Sequence, residues 1–268
     1  MTSRRIVRGA LVALAVLTAL YLVAPVFVVV PMSFNDSAFL EFPPQEWSLR
    51  WYESYLEDAT WIDGTVNSVV IGLMVTVASV VLGVLAALAM VRGRYPLRAL
   101  VSGLVLAPVL VPYVIIGLAV YAAFLRLGLT QTTLGFVLVH TALAVPFVVI
   151  NVSSALVRFD RHLEMAAMSL GAGRISTFVR ITLPVIAPSV LSGALFAFIT
   201  SFDEVVVSVF LAGPDLTTLP VEMWSGIRVQ IDPTVAAVST MLLLVTLALF
   251  ASAGLARALR NRHLDRPA

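Results

Sequence analysis

The sequence predicts an all-α integral membrane protein with six transmembrane helices. Hydrophobic residues make up 60% of the 268 residues and charged residues only 12%, and the mean hydropathy is +1.01. A soluble domain must keep many polar groups at its surface, so this composition requires lipid as the solvent. Crossing a bilayer core takes about 20 apolar residues. The stretches that meet this length are 6–32, 66–91, 99–125, 133–157, 187–212 and 235–256. Because no internal repeat or linker separates them, residues 1–268 are expected to form a single membrane domain.

Arginine placement predicts the orientation of these helices. All 17 basic residues are arginine, and 14 of them lie in the two termini, in the second–third connection or in the fourth–fifth connection. The alternate connections hold only Arg50, Arg126 and Arg228. By the positive-inside rule, both termini and residues 158–184 are therefore cytoplasmic. The same rule explains the pI near 9.3 without nucleic-acid binding.

The first two stretches are expected to be membrane helices. The first begins like a signal peptide, but its apolar part is too long and is followed by no convincing cleavage site, so we interpret it as a retained helix. The second contains small residues, among them Gly72 and Gly83. Such residues let helix backbones approach closely in membranes, so we expect packing contacts there.

Residues 34–65, between the first two stretches, are acidic and aromatic. They hold seven acids against one arginine, and Trp47, Trp51 and Tyr52 lie among them. One interpretation is an interfacial aromatic belt on a short amphipathic helix. The other is a docking surface for a soluble protein outside the cell.

The third stretch carries two prolines one turn apart, Pro108 and Pro112, followed by Tyr113. Each proline removes a helix hydrogen bond, so we expect this span to be kinked or unwound. The kink serves packing, or it makes a flexible helix that lines a transport pathway, and the two roles are compatible.

Ionisable residues in the fourth and fifth stretches are candidates for function. Asp203 and Glu204 lie between two apolar runs, where a carboxylate costs about 2.5–3.5 kcal/mol and usually faces a wet cavity or a charged partner. On a helix the pair would point about 100° apart, so only one need face a pore. Alternatively, the span ends near Thr200 and the pair lies among the headgroups. His140, in the fourth stretch, is expected to make a helix-to-helix hydrogen bond rather than to line the pathway.

The cytoplasmic loop 158–184 has a distinctive pattern. Asp160 is placed to cap a helix whose apolar stripe runs from Leu163 to Leu170, and Gly171 is placed to end it in the left-handed conformation. A second stripe follows, made of Ile175, Phe178, Val179 and Thr182. Pro184 is expected to end that second helix. Two short amphipathic helices at a membrane surface would form a knob that fits a groove on a soluble partner.

In content and spacing this loop resembles the Glu-Ala-Ala cytoplasmic loop of ABC importer permeases. Met165 stands where the family's glutamate would lie, and Glu164 precedes it. The resemblance implies contact with an ATPase for these residues: Leu163, Glu164, Ala166, Ala167, Leu170, Gly171, Ile181, Leu183 and Pro184.

The outer segments resemble the second permease of spermidine/putrescine-type importers. The resemblance rests on residues 201–204, 213–214, 218–220 and 223–224, and on shorter matches before and inside the second span. It implies a bacterial inner-membrane subunit for polyamine import, paired with a related permease, two copies of a cytoplasmic ATPase and a periplasmic or lipid-anchored binding protein. ATP and Mg would be bound by the ATPase, with no cofactor in this chain. The expected external docking residues are Trp47, Trp51, Tyr52, Met223 and Trp224.

No pattern in the sequence indicates an enzyme. There is no P-loop, no Gly-x-Ser-x-Gly elbow, no His-Glu-x-x-His motif and no cysteine, and the histidines are far apart, so neither a catalytic nor a metal site is predicted. Alternatives are an importer for another small organic solute, an ion-coupled transporter, and a membrane scaffold or receptor. An ion-coupled transporter would need ionisable residues deep in several spans, and a scaffold would leave the proline-rich span and the acidic pair unexplained.

Overall fold

The computed structural model describes residues 2–228 and 232–264, and over these residues the fold is helical without β-strands. The helices are α1 (Thr2–Met32), α2 (Arg50–Glu57), α3 (Ala59–Arg92), α4 (Arg98–Leu110), α5 (Tyr113–Leu127), α6 (Thr133–Arg158), α7 (His162–Ser169), α8 (Arg174–Thr177), α9 (Leu183–Phe202), α10 (Ser208–Leu211), α11 (Leu219–Arg228) and α12 (Thr234–Leu264). The predicted all-α fold is confirmed for this part of the chain.

Several helices are suited to a membrane. Within the described residues, four segments are long and apolar enough to cross it: Val7–Met32, Ala59–Arg92, Thr133–Arg158 and Arg174–Phe202. Helices α4 and α5 meet the same criterion together, although they are bent by 105°. Within the residues whose side chains the structure describes, α12 contributes the shorter apolar segment Thr234–Ala248. By length and composition these residues give four or five spans, so the number six stays a prediction.

The third predicted span is broken between α4 and α5. Val111 has an extended backbone, with φ −88° and ψ 132°, and Pro112 precedes α5 with φ −56° and ψ 129°. Proline disfavours helical dihedrals at the residue before it and donates no backbone hydrogen bond, so α4 stops at this position. The predicted interruption is confirmed.

The fifth predicted span, 187–212, is wrong at its C-terminal end. Helix α9 ends at Phe202, a turn follows, and the separate helix α10 begins at Ser208. The side chain of Glu204 accepts hydrogen bonds from the backbone N–H groups of Val207 and Ser208, at 2.8 Å each. These bonds start a new helix in the middle of an apolar run, which hydropathy alone cannot reveal.

Pro184 was also expected to end a helix, and this too is wrong. Helicity continues from Arg174 to Phe202 through a π-helical turn at Phe178–Thr182. The N–H of Leu183 bonds to the carbonyl of Phe178, five residues back. Pro184 is the second residue of α9, directly after the π-helical turn, and does not end the helical segment.

The described residues form two compact units. One comprises the residues up to Ile62 and those from Ser225 onward, in which α1 and α2 pack against α12. Near the C-terminal end of α1, Ser33 Oγ lies 2.7 Å from the Tyr52 hydroxyl, and the ring of Phe34 packs against Tyr52 and Trp47. These contacts hold the chain after α1 against α2.

The second unit runs from Asp63 to Trp224, and its core is formed by α3, α6 and α9. A Cβ added to Gly83 of α3 would lie 2.7 Å from Val148 Cβ of α6. One added to Gly193 of α9 would lie 3.0 Å from Val148 Cα. The three helices therefore approach as closely as glycine allows, and the predicted packing role of small residues in the second span is confirmed at Gly83.

Candidate functional site

The loop before α9 carries an exposed apolar knob, which we define as residues 162–177. Asp160 starts α7 by accepting a hydrogen bond from the N–H of His162 at 2.9 Å, and Gly171 ends it with φ +89°, both as predicted. Leu163 is 49% exposed, Leu170 90% and Ile175 81%. Apolar surface gathered in this way is typical of a site of protein contact. Of the predicted contact residues, Ala166 is exposed and Ala167 half-buried.

Glu164 lies on the opposite face of α7, turned into the protein. Its Oε1 accepts a hydrogen bond from Arg92 Nη1 at 2.7 Å and another from the hydroxyl of Thr182. The guanidinium of Arg92 also lies over the ring of Phe159, 5.5 Å from its centre. Arg92 ends α3 and Thr182 lies in the π-helical turn. Glu164 therefore joins the knob to two spans instead of adding to its exposed stripe.

Ile181, Leu183 and Pro184 lie away from the exposed tip of the knob. Ile181 and Leu183 are partly buried and pack against the core of the second unit, while Pro184 is exposed at the start of α9. The second predicted stripe, residues 175–182, does not lie on one face, because Val179 is exposed whereas Thr182 is fully buried. A π-helical turn shifts the angular register of the residues that follow it, so the stripe expected for a regular α-helix is not preserved.

A second polar cluster lies at the other end of α9. Glu204 is 5% exposed, and its carboxylate accepts hydrogen bonds from two backbone N–H groups and, at 2.9 Å, from the Ser208 hydroxyl. His140 of α6 lies beside it, with Nδ1 2.9 Å from Ser201 Oγ and Nε2 3.1 Å from Ser208 Oγ. The predicted helix-to-helix hydrogen bond of His140 is confirmed. The Glu204 carboxylate is therefore already hydrogen-bonded within the protein itself.

Asp203 differs from its neighbour. It follows the last helical residue of α9, with φ −92° and ψ 1°, and its side chain is exposed. Within residues 2–228 and 232–264 its carboxylate makes no hydrogen bond or ion pair. The expectation that the two acids share a helix is wrong, because the turn begins at Asp203. Of the pair, only Asp203 presents a carboxylate that is not already bonded to the protein.

One proline of the third span, Pro108, borders an apolar cleft, whereas Pro112 lies at the break between α4 and α5. Pro108 and Val111 border an apolar cleft of about 390 Å³ between α4, α5 and α6. Its lining residues are hydrophobic side chains, so it offers no polar group to a charged solute. Pro112 lies at the break and Tyr113 starts α5, partly buried against the core. A pathway role for these three predicted residues stays a prediction.

The predicted external docking residues fall in both units. Trp47 is 70% exposed, while Trp51 packs under the guanidinium of Arg50, 4.9 Å from the ring centre, and Tyr52 is partly buried. Met223 and Trp224 belong to α11 in the second unit. Trp47 and Trp224, the latter 41% exposed, are the two with most ring surface available.

The sequence does not indicate the side-chain contacts of Arg92, Thr182, Ser201 and Ser208, although Thr182 belongs to the second predicted stripe. Arg92 was counted only as an orientation signal, and it meets Glu164 across 72 positions of sequence. The two serines and the threonine are common in membrane helices and carry no local pattern that points to these contacts. One signal was available for Ser208, since its spacing of four residues from Glu204 suits an acid that bonds to the start of a helix.

This chain is similar in sequence to proteins of a known transport family. The family described as "Binding-protein-dependent transport system inner membrane component" matches residues 79–261. The putrescine transport system permease protein PotI of Escherichia coli K12 is 34% identical over 230 residues, covering 83% of this chain and 82% of the relative. The spermidine/putrescine transport system permease protein PotC of Haemophilus influenzae is 30% identical, covering 85% and 89%.

A solved structure shares the fold. It belongs to a bacterial ABC transporter involved in the import of the acidic polysaccharide alginate, and the TM-score is 0.76. The alignment covers 95% of this chain and 97% of the other at 16% identity.

The buried pair of Glu164 and Arg92 generates a prediction about stability. Glu164→Ala leaves Arg92 without its carboxylate, and we expect a loss of about 3 kcal/mol, because a charge partly withdrawn from water is left unpaired. The midpoint of thermal unfolding of the purified protein, followed by tryptophan fluorescence, should fall.

Two further variants complete that test. The matched control Arg94→Ala removes an exposed arginine two residues from Arg92 and should leave the midpoint unchanged. The double reversal Arg92→Glu with Glu164→Arg should recover part of the loss. Equal midpoints for Glu164→Ala and Arg94→Ala would contradict the role of this ion pair.

Proposed function

Because this chain belongs to the family of binding-protein-dependent transport system inner membrane components, we propose that it forms half of the translocation pathway of an ATP-driven importer for a polyamine such as putrescine or spermidine. It is a transport permease, not an enzyme. The second half of the pathway would be a related permease. Two copies of a cytoplasmic ATPase would bind ATP and Mg, and a periplasmic or lipid-anchored protein would deliver the solute.

The observation that carries this proposal is the exposed apolar knob. Leu163, Leu170 and Ile175 project apolar side chains on a segment that the arginine pattern assigns to the cytoplasm. Burying one leucine of this kind in a partner's groove stabilises a complex by about 1.5–3 kcal/mol. The ATPase would hold the knob there and move it during the hydrolysis cycle.

In the proposed topology the chain crosses the membrane six times, and both termini lie in the cytoplasm. The spans would be α1, α3, the broken pair α4–α5, α6, the helical segment Arg174–Phe202, and α12. The knob then precedes the fifth span on the cytoplasmic side, and the turn at Asp203 follows that span on the outer side.

Polyamine cargo is supported by chemistry and by relatives. Asp203 offers an exposed carboxylate at the outer end of the fifth span, and an ammonium group is attracted to such a carboxylate most strongly where water is scarce. The names of two relatives include putrescine or spermidine. The structural neighbour, in contrast, is named for import of an acidic polysaccharide, so the fold alone does not select the cargo.

On the outer face, a set of aromatic and methionine side chains is proposed to contact the solute-binding protein, with Trp47 and Trp224 the most exposed. The proposed set is Trp47, Trp51, Tyr52, Met223 and Trp224. Aromatic side chains contribute strongly to such contacts because they bury a large rigid surface at a small cost in conformational entropy.

The first test concerns the ATPase contact. In Leu170→Glu, docking would bury a charge in an apolar groove, so we expect uptake of labelled putrescine to fall at least tenfold with reduced ATPase retention on the purified membrane complex. The substitution lies on a 90% exposed side chain, so the permease itself should keep its thermal stability.

The matched control for this test is Leu97→Glu. Leu97 is 60% exposed, precedes α4, and lies in the other connection between spans that is assigned to the cytoplasm. This variant should retain the ATPase and transport normally. Normal uptake and normal ATPase retention by Leu170→Glu would contradict docking through the knob.

The second test concerns cargo. Asp203→Asn keeps the shape of the turn and removes the free carboxylate, and a hydrogen bond to a charged group contributes about 1.5–3 kcal/mol. We therefore expect putrescine uptake to fall about tenfold or more, with unchanged thermal stability, ATPase retention and binding-protein capture. Asp215→Asn, which neutralises another exposed acid, is the control and should transport normally.

Glu204→Gln should behave differently from Asp203→Asn. An amide cannot accept all three hydrogen bonds that the Glu204 carboxylate accepts, so this variant should lose stability before it loses cargo affinity. If Asp203→Asn transports putrescine at the native rate, Asp203 is not a cargo contact.

A further inference from the structure

His140 connects the two ends of the turn that carries Asp203. Its imidazole is 1% exposed. Nδ1 lies 2.9 Å from the hydroxyl of Ser201, in the last turn of α9, and Nε2 lies 3.1 Å from the hydroxyl of Ser208, the first residue of α10. One side chain of α6 thus contacts both helices that flank residues 203–207.

The hydrogen bonds have a defined direction. The Ser208 hydroxyl donates its single hydrogen to Glu204 Oε2 at 2.9 Å, so towards His140 it acts as an acceptor, and Nε2 of His140 must carry a hydrogen. On the other side of the ring, Nδ1 lies against Ser201. The Ser208 hydroxyl thus links the Glu204 carboxylate to the imidazole, whose Nε2 also lies 3.7 Å from Glu204 Oε2.

The other contacts of this region make α6 the fixed support. The ring of Phe136, one turn before His140, packs edge-on against the imidazole at 5.7 Å between centres. The N–H of Gln131, just before α6, donates to the carbonyl of Leu211 at 2.9 Å. The N-terminal part of α6 and the residues before it therefore hold α10 at its first residue and at its last.

We propose that His140 is a positioning residue that holds the turn carrying Asp203 in the orientation used for transport. Asp203 lies between Ser201 and Glu204, and both belong to the hydrogen-bonded network around the imidazole. The decisive contact is that of Nε2 with Ser208, because Ser208 also bonds to Glu204 and so ties the end of the turn to α6. Without the Nε2 donor this connection is lost. The importance of that orientation for cargo rests on the proposed function of Asp203.

Two substitutions of His140 separate its two ring nitrogens. His140→Gln places an amide near the position of Nε2 and keeps a donor towards Ser208. His140→Asn places its amide near the position of Nδ1 and removes that donor. His140→Leu removes both contacts. Thr141→Val is the matched control, since Thr141 is a buried neighbour on α6 whose hydroxyl has no hydrogen-bond partner in the described part of the chain.

The experiment measures the position of the turn directly. The chain has no cysteine, so Asp203→Cys in the assembled importer gives a single reactive thiol in this subunit. Its rate of reaction with 2-aminoethyl methanethiosulfonate, a small cationic reagent, is measured in each His140 background. We expect His140→Leu and His140→Asn to change this rate about tenfold, as for loss of a hydrogen bond to a charged network. His140→Gln and Thr141→Val should keep the native rate.

Uptake of putrescine is measured in parallel in chains that retain Asp203. It should fall in His140→Leu and His140→Asn and be preserved in His140→Gln. If His140→Leu does not assemble, the comparison of Gln with Asn decides: a native rate for Gln and a changed rate for Asn support positioning, and equal rates overturn it. Unchanged rates in all assembled variants also overturn it.

The labelling rates test the role of His140, and the uptake of Asp203→Asn tests the role of Asp203. If the labelling rates change as expected while Asp203→Asn transports normally, His140 positions the turn but Asp203 is not a cargo contact. If Asp203→Asn fails to transport while the labelling rates do not respond to His140, the cargo role stands and the positioning role is overturned.

Discussion

The packing of Val148 between two glycines is the constraint on which the second unit depends. A Cβ at Gly83 of α3 would clash with the side chain of Val148, and one at Gly193 of α9 would crowd the Cα of Val148. Without a hydrophobic driving force in lipid, helices associate through this kind of close contact. Because α3, α6 and α9 meet there, this contact also fixes the helices that support the polar clusters at the two ends of α9. Arg92 of α3 supports the first cluster, and His140 of α6 supports the second.

Helix α9 and the turn before it connect these clusters mechanically. Its 20 residues give a rod about 30 Å long, with Thr182 bonded to Glu164 just before one end and Asp203 directly after the other. A displacement of the knob by a partner would therefore act on α9 through Glu164 and Thr182. At the far end the network around Glu204 opposes distortion of the turn and, through His140, ties the turn to α6.

The features that could be predicted from the sequence are those with a local cause. Pro112 breaks the third span, Gly171 ends α7 and Asp160 starts it, and each acts on residues within one turn. The end of α9 and the role of Pro184 could not be predicted in this way. They depend on Glu204 capping a four-residue helix inside an apolar run and on a π-helical turn that shifts the register. The partner of Glu164 lies 72 residues away, so only the three-dimensional packing of α3 brings it there.

We propose that transport through this chain is driven by ATP hydrolysis in a partner subunit. The most direct measurement is uptake of labelled putrescine into proteoliposomes that contain this permease, its related permease and the ATPase, with the binding protein added outside. Uptake should require ATP on the ATPase side, stop with a hydrolysis-deficient ATPase, and persist when ionophores collapse the proton and sodium gradients. Uptake that continues without the ATPase and stops when those gradients are collapsed would contradict it.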